Sequence, residues 1–202
     1  MKCLINNIRL IESFSSSMTG IFSTADLKNL FNESSGLRLN RHIVNLIEAG
    51  IISRYSRGLY VTKAATLEAL SARMQEKSYL SLATALARHL MIGTLPSRTV
   101  FAVKPGRPMT FSGPTSRIEY AGSLPELIFG FETIDGINLA TPEKALIDTL
   151  YYHQKGRRYY FDIFSDVDIS RVDPAAVHTY LEHYRNPRFV AFVKGYLDGG
   201  IR

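Results

Sequence analysis

Cationic and polar side chains between residues 34 and 63 have the types and spacing of a nucleic-acid-binding surface. Arg38, Arg41, His42 and Asn45 recur at helical spacing, so a helix would place them on one face. In the major groove of DNA, arginine pairs with guanine and asparagine with adenine through two hydrogen bonds each. The pattern therefore predicts a recognition helix whose N-terminal arginines contact base edges.

Residues on both sides of this helix fit contacts with the DNA backbone. Ser34 and Ser35 precede it, where hydroxyls and a helix N-terminus donate hydrogen bonds to phosphate. A turn then brings Arg54, Tyr55 and Arg57 to the tip of a hairpin, in position for the backbone or the minor groove. An alternative is that these elements serve protein contacts alone. The residues predicted to contact DNA are Ser34, Ser35, Arg38, Arg41, His42, Asn45, Arg54, Tyr55, Arg57 and Lys63.

A second basic cluster lies further along the chain, at Lys155, Arg157 and Arg158, and is followed by Tyr159 and Tyr160. Charge combined with aromatic rings is typical of surfaces that bind nucleic acid by stacking. A loop that leads into a strand explains the same residues equally well. The cluster is therefore a possible second basic surface, and both interpretations stay open.

Catalytic and metal-binding patterns are weak. Glu143 favours the N-terminus of a helix, and Lys144 next to it is expected at a surface or an interface. Asp162, Asp166 and Asp168 are expected in a solvated loop or at the end of a strand. The sequence has no glycine-rich phosphate loop and no histidine pair at helical metal-binding spacing, so we predict no catalytic residue, metal or cofactor. An enzyme acting on nucleic acid through these acids remains an alternative.

The elements that must position the basic residues form a winged helix-turn-helix layout. Ser23 and Asp26 have the spacing of a capping box, and the third helix turns Leu39, Ile43, Leu46 and Ile47 to a core. Three short helices closed by a two-stranded hairpin are typical of this layout. The predicted helices and strands span residues 3–16, 23–31, 37–49, 51–54 and 59–62.

The rest of the chain predicts a helical connector and a second, α+β domain. A helix from Ser78 to Leu90 opens that domain, with Leu90 inward, and a small antiparallel or mixed sheet follows. Asp135-Gly136 is a hairpin signal. Thr141, Asp173 and Asn186 each precede a proline and begin C-terminal helices. The predicted domains are 1–62, 63–77 and 78–202.

Composition, charge and hydropathy exclude several classes of protein. The 202 residues carry a net charge of +6, of which residues 1–75 hold +4, and 46% are hydrophobic, which excludes wholesale disorder. Apolar runs are too short for a membrane span, and the N-terminus is too polar for a signal peptide. The single cysteine, Cys3, excludes an internal disulfide framework, so a cytoplasmic location is expected.

Three segments together resemble a known family. They are residues 54–60 (RYSRGLY), 78–82 (SYLSL) and 141–148 (TPEKALID). Their order, within roughly residues 15–155, resembles the AbiEi-type antitoxins and transcriptional regulators of abortive-infection toxin–antitoxin systems. The resemblance implies a DNA-binding repressor of its own operon. It also implies a functional partner, a nucleotidyltransferase-like toxin, with which no stable complex is expected.

The sequence thus predicts a sequence-specific repressor that acts as an antitoxin and binds double-stranded operator DNA, with inverted repeats expected. No enzymatic activity, cofactor or membrane partner is predicted. The alternative is a protein-interaction module, in which the winged helix serves assembly and the C-terminal domain is the partner-binding surface.

Overall fold

The structure, a computed structural model, describes residues 2–93, 98–113 and 116–199. The chain divides into two compact units, Met1–Arg73 (unit 1) and Met74–Arg202 (unit 2). Each has its own hydrophobic core. The side chain of Cys3 and the last three residues of the predicted domain 78–202 lie outside the described residues.

The described part of unit 1 contains four helices. They are α1 (Lys2–Ser15), α2 (Thr24–Leu30) and α3 (Gly36–Glu48), and α4 (Leu67–Met74) ends at the unit boundary. The Asp26 amide donates to the Ser23 hydroxyl at 3.0 Å, and the Ser23 amide donates to the Asp26 carboxylate at 2.8 Å. This confirms the predicted capping box, which satisfies two amides at the start of α2.

The sheet of unit 1 has three antiparallel strands, whereas the sequence predicted two. The strands are β1 (Ile21–Ser23), β2 (Ser53–Ser56) and β3 (Leu59–Val61), with β3 in the centre. β1 was missed because three residues are too few to show alternation. β2 begins two residues later than predicted and extends through Tyr55 and Ser56, so the turn narrows to Arg57-Gly58.

Both ends of β3 are hydrogen-bonded to the residues that flank β1. The Thr62 amide donates to the Gly20 carbonyl at 2.8 Å, and the Thr24 amide donates to the Gly58 carbonyl at 2.9 Å. Gly20 has φ of +71°, and a Cβ there would lie 2.5 Å from the Thr62 hydroxyl oxygen. Only glycine fits this close approach without a shift of the backbone.

The connector is helical over a shorter stretch than predicted for 63–77. Helix α4 starts only at Leu67, and residues 63–66 form a turn and coil. Threonine hydroxyls accept backbone amides there: Thr62 from Ala64 at 3.3 Å and Thr66 from Ala69 at 3.1 Å. Such bonds compete with helical ones, which explains the late start.

The core of unit 1 lies between α1, α2, α3 and the sheet. From α3 it receives Leu39, Ile43 and Leu46, which are all buried as predicted. Ile47, predicted on the same face, is instead exposed. Around the helix axis, Ile47 lies beyond Ile43, at the edge of the buried stripe. Its spacing of eight residues from Leu39 therefore predicted a core face wider than the one observed. The fully buried side chains of this core include Ile11, Phe22, Leu27 and Leu46.

Unit 2 is built on a six-stranded mixed sheet, so the predicted α+β class is confirmed at that level. The strands are β4 (Tyr79–Leu80), β5 (Thr99–Pro105), β6 (Met109–Ser112), β7 (Arg117–Ser123), β8 (Phe131–Ile134) and β9 (Ile137–Ala140). Their order in the sheet is β6-β7-β5-β4-β9-β8. β5 and β7 pair in parallel, as do β4 and β9, and the other neighbours are antiparallel.

The first predicted helix of unit 2, Ser78 to Leu90, is wrong at both ends. Residues 79–80 form the central strand β4, and the helix α5 spans only Leu82–Arg88. Leu90, predicted inward, is 67% exposed and has φ of +57°, which ends the helical path. Leucines at helical spacing thus concealed a strand, because both β4 residues are apolar and buried on both faces.

The predicted turn residues and helix caps of unit 2 are confirmed. Asp135 and Gly136 both have positive φ between β8 and β9, as the predicted hairpin requires. Thr141, Asp173 and Asn186 each cap a helix that begins with proline. These helices are α6 (Pro142–Gln154), α7 (Pro174–Leu181) and α8 (Pro187–Leu197). Helix α6 is the most deeply buried of the three, since nine of its residues are buried.

Candidate nucleic-acid interface

The first turn of α3 is fixed by Ser35 and Glu33. The Arg38 amide donates to the Ser35 hydroxyl at 3.5 Å, which makes Ser35 the N-cap. The Ser35 amide in turn donates to Glu33 Oε1 at 2.9 Å. Ser35, predicted as a phosphate contact, therefore caps its own helix, and its neighbour Ser34 is exposed beside it.

The outward face of α3 is centred on Leu37, Arg41 and Val44. These three residues are spaced i, i+4 and i+7, and they lie opposite the buried Leu39, Ile43 and Leu46. Arg38 is exposed on one flank of this face. His42 and Asn45, predicted on the same stripe, are only partly exposed. The sequence predicted an exposed stripe of four polar side chains. In the structure, an arginine and two aliphatic side chains form the centre of the exposed face.

Glu33 is a residue of this surface that the sequence analysis missed. Its Oε2 lies 3.2 Å from Arg38 Nε and 3.9 Å from His42 Nε2, and its side chain is largely buried. The predicted surface begins at residue 34 and therefore excludes this acid by one residue. An acidic residue within the turn before a helix N-terminus was the signal that could have found it.

The hairpin of β2 and β3 presents two further cations. Arg54 and Arg57 are exposed, and Lys63 is exposed just beyond the hairpin. The register shifts between Arg54 and Ser56, so Tyr55 forms a bulge. The Tyr55 hydroxyl oxygen is buried, with no hydrogen-bond partner among the described residues, so it is not exposed for the predicted contact with DNA.

The predicted second basic surface is largely engaged within unit 2. Arg157 Nη2 lies 2.8 Å from Glu119 Oε2, and the Tyr159 hydroxyl donates to the Thr149 carbonyl at 3.0 Å. Burial raises the pKa of Tyr159 above its ordinary value. The positive charge of Arg157 lowers this pKa, and the negative charge of Asp148 raises it.

The other two cations of this cluster differ in their surroundings. Lys155 Nζ lies 4.1 Å from the centre of the Tyr151 ring, in cation–π contact. Arg158 is exposed. Of the three cations of this cluster, Arg158 is thus the one whose described contacts leave it most open to a ligand.

A buried ion pair lies in the core of unit 2, where the sequence placed Lys144 at a surface or interface. The lysine side chain is 0% exposed, and its Nζ lies 2.8 Å from Asp148 Oδ1. It also donates to the Tyr184 hydroxyl at 3.0 Å and lies 4.3 Å from the centre of the Phe129 ring. The surface expectation was wrong because the helix α6 is buried on most of its circumference.

Two hydroxyls donate hydrogen bonds to the second carboxylate oxygen of Asp148. Tyr79 and Ser81, on either side of β4's last residue, each donate to Asp148 Oδ2 at 2.8 Å. Burial, together with the negative charge of Asp148, raises the pKa of Tyr79 and of Tyr184 far above its ordinary value. Both hydroxyls therefore stay protonated and act as donors or acceptors of hydrogen bonds, not as anions.

The aspartates between residues 162 and 168 organise a loop. Asp162 Oδ1 accepts the Phe164 amide at 2.7 Å, and Asp166 Oδ2 accepts the Asp162 amide at 2.7 Å. Asp168 Oδ1 accepts the Ser170 amide at 2.9 Å, and hydrogen bonds from the side chain and then the amide of Ser170 lower the pKa of Asp168. These oxygens stabilise turns of the backbone, and within the described ranges no group of acids, histidines and cysteines is arranged to hold a metal ion.

An open apolar groove lies on unit 1 between α1 and α2. Its volume is about 490 Å³, and Phe14 on its rim is exposed. Leu10, Met18 and Leu30 supply further apolar walls, and Asp26 and Asn29 supply the polar ones. This groove is a feature that the sequence analysis did not predict.

Comparison with known proteins supports the fold alone. The fold is similar to that of the Rv2827c protein from Mycobacterium tuberculosis. The two chains share 15% sequence identity and superpose with a TM-score of 0.65, over 96% of this chain and 76% of that one. No protein-family model and no curated protein sequence matches this chain. In the part of the chain that the structure describes, no helix has both the length and the apolar character needed to cross a membrane.

Proposed function

We propose that unit 1 is a winged helix-turn-helix that binds double-stranded DNA, with α3 in the major groove and the β2–β3 hairpin as the wing. The observation that carries this proposal is the exposed face of α3, with Arg38 and Arg41 directed away from the buried Leu39 and Ile43. A helix in the major groove needs this arrangement, since one side packs and the other reaches base edges.

The order of elements supports the same proposal. Helix α2 is followed by a short turn, then by α3, and then by a hairpin whose exposed Arg54 and Arg57 add positive charge. Phosphate contacts from such a wing provide affinity and fix the register on the duplex, whereas α3 provides the sequence specificity.

For the whole chain, we infer a transcriptional repressor that acts as the antitoxin of a toxin–antitoxin operon. The resemblance to AbiEi-type regulators carries this inference. The operator is expected upstream of the protein's own gene, with inverted repeats, and the functional partner is a nucleotidyltransferase-like toxin without a stable complex. No residue is proposed as catalytic, and the proposed location is the cytoplasm.

DNA binding is tested with a mobility assay on the DNA upstream of the gene, at moderate salt. Arg38→Ala and Arg41→Ala should each weaken binding by about 1–3 kcal/mol and relax the specificity. Arg188→Ala is the matched control, because Arg188 is an exposed arginine of unit 2. Equal affinities for wild type, Arg41→Ala and Arg188→Ala would contradict the assignment of α3.

The antitoxin role is tested in cells that carry the neighbouring gene. If that gene encodes a nucleotidyltransferase-like toxin, co-expression of the full chain should restore growth. A mixture of the two purified proteins should still elute separately in gel filtration. Failure to restore growth, with DNA binding intact, would limit the function to that of a transcriptional regulator.

The groove on unit 1 favours a second candidate function, that of a protein-interaction module. Its exposed Phe14 and its apolar walls at Leu10 and Met18 are suited to a partner's side chain. Phe14→Ser with Met18→Ser should then abolish a stable complex with the product of the neighbouring gene. Under the leading proposal, the same double variant binds DNA as the wild type does.

A further inference from the structure

The outward face of α3 carries two aliphatic side chains that the cationic pattern does not explain. Leu37 is 88% exposed, and Val44, seven residues later, is 41% exposed. Single exposed apolar residues are common on protein surfaces. Here, however, the two flank Arg41 on the same face, on the helix that carries the proposed DNA contacts.

We propose that Leu37 and Val44 recognise the C5-methyl groups of thymine in the major groove. This inference rests on the proposed DNA-binding function of α3. A thymine presents an apolar methyl group beside its O4 acceptor, and aliphatic side chains distinguish it from cytosine through contact with that methyl. The aliphatic groups would thus specify A·T pairs on either side of a pair contacted by Arg41.

The charges around these side chains determine the class of partner. Arg38, Arg41, Arg54 and Arg57 are all exposed on unit 1, whereas Glu33 is largely buried against Arg38 and His42. The one exposed acid described on α3, Glu48, lies at its C-terminal end, away from Leu37. A protein partner with an apolar surface would have to desolvate these guanidinium groups. A DNA duplex neutralises them with phosphates and offers methyl groups in the same groove.

Helix geometry predicts the separation of the two methyl contacts. Leu37 and Val44 are seven residues apart, which is about 10 Å along the axis at ~1.5 Å per residue. With a base-pair spacing of ~3.4 Å, a helix that follows the groove would span about three base pairs between them. Leu37 lies in the first turn of α3, where base contacts of recognition helices concentrate.

The test uses DNA duplexes that the wild-type full chain enriches from a randomised library. In the enriched duplex, each thymine is replaced in turn by deoxyuridine, which lacks only the methyl group. Dissociation constants are measured for wild type, Leu37→Ala, Val44→Ala and the control Leu90→Ala. Leu90 is a suitable control because it is an exposed leucine of unit 2.

We expect wild type and Leu90→Ala to lose about fourfold in affinity for each contacted methyl removed, the equivalent of about 0.8 kcal/mol per buried methyl or methylene group. Leu37→Ala should be insensitive to deoxyuridine at one position and retain sensitivity at the other. Val44→Ala should show the reverse. Thermal unfolding of all three variants should match that of wild type, because the substituted side chains are exposed.

Three outcomes overturn the proposal, and they are distinguishable. If a duplex is enriched but Leu37→Ala and Val44→Ala keep the full sensitivity of wild type, or no position is sensitive, DNA binding stands and the methyl contacts are wrong. If no duplex is enriched, the proposed function of unit 1 fails and the inference fails with it. A change of oligomeric state in Leu37→Ala, with unchanged deoxyuridine sensitivity, would assign the face to a second copy of the chain.

Discussion

Arg38 in unit 1 and Lys144 in unit 2 occupy the same local position. Each is the third residue of a helix, and each donates its backbone amide to the hydroxyl of the capping residue, Ser35 or Thr141. Their side chains differ completely, since Arg38 is 68% exposed and Lys144 is 0% exposed. Capping therefore determines where the helix begins, and the packing around the helix determines what the cation can contact.

Each of these cations also has an acidic partner, with different consequences. Glu33 contacts Arg38 at the protein surface, where the carboxylate is largely buried but the guanidinium is exposed and can be reached by water or a phosphate. Asp148 contacts Lys144 inside the core, and the hydroxyls of Tyr79 and Ser81 saturate its other oxygen. An exposed pair of this kind contributes little to stability, whereas a buried pair that loses one member leaves an uncompensated charge.

The largest predicted effect follows from the removal of one member of the buried pair. Lys144→Ala should lower the free energy of unfolding by about 3–5 kcal/mol, because Asp148 would stay buried without its counter-charge. Arg38→Ala should change it by less than about 0.5 kcal/mol. Urea denaturation of the full chain, followed by circular dichroism, measures both.

A double replacement provides the control for this contrast. Lys144→Met combined with Asp148→Leu removes both charges and keeps apolar volume, but it leaves the hydroxyls of Tyr79, Ser81 and Tyr184 without these partners. It should therefore recover part of the lost stability. If Lys144→Ala and Arg38→Ala had equal effects on unfolding, the distinction between the two regions would be wrong.

A smaller effect is expected at the hairpin. Arg57→Ala should weaken DNA binding nearly equally for all sequences, because a wing contact to phosphate carries no base information. It should also reduce the slope of log K against log salt concentration by about 0.9. Titrations at several salt concentrations measure the slope, and an unchanged slope would exclude Arg57 from the contact. The Arg188→Ala variant should keep the slope of wild type.

A gain of affinity is expected when Arg38 is released from its acid. Glu33→Gln keeps an oxygen that can accept the Ser35 amide but removes the charge beside Arg38 and His42. DNA binding should strengthen by up to about 1 kcal/mol, the range of exposed ion pairs. Weaker binding would mean that Glu33 positions Arg38 productively. Glu48→Gln is the control, since Glu48 is an exposed acid at the other end of α3.

The smallest effect concerns pH. Burial opposes ionisation of Asp26, but hydrogen bonds from Ser23 and the ion pair with Arg73 outweigh it and lower the Asp26 pKa below 3.8. Its contribution to stability is therefore complete above the ordinary carboxyl range and is lost as the pH falls through the lowered pKa. Asp26→Asn should cost a few tenths of a kcal/mol at pH 7 and converge with wild type as the pH falls through the lowered pKa of Asp26. A constant difference across that range would contradict this.

Sequence signals were most informative where they act over a few residues. The capping box at Ser23, the caps at Thr141, Asp173 and Asn186, and the hairpin at Asp135 all depend on neighbours in the chain, and the structure has each of them. The buried Leu39, Ile43 and Leu46 were equally visible, since one helix face contacts one core.

The rest depended on partners distant in the chain. β4 has two residues, and what makes it a strand is its pairing with β5 and β9, which lie about 20 and 60 residues away. The partners of Lys144 include Tyr184, 40 residues away. On α3, the basic residues were correctly placed outside the core, but Glu33 and the outward direction of Leu37 became apparent only when helix and turn were seen together.

The two hydrogen bonds at the ends of β3 have a consequence for local opening. Thr62 donates to Gly20, and Thr24, the first residue of α2, donates to Gly58 at the hairpin turn. The hairpin cannot separate from the start of α2 without breaking both. The amides of Thr24 and Thr62 should therefore exchange with deuterium at similar rates, as members of one cooperative opening unit. The proposed wing and the helix before α3 would then fluctuate together, so a ligand held by the hairpin would slow exchange at the beginning of α2 as well.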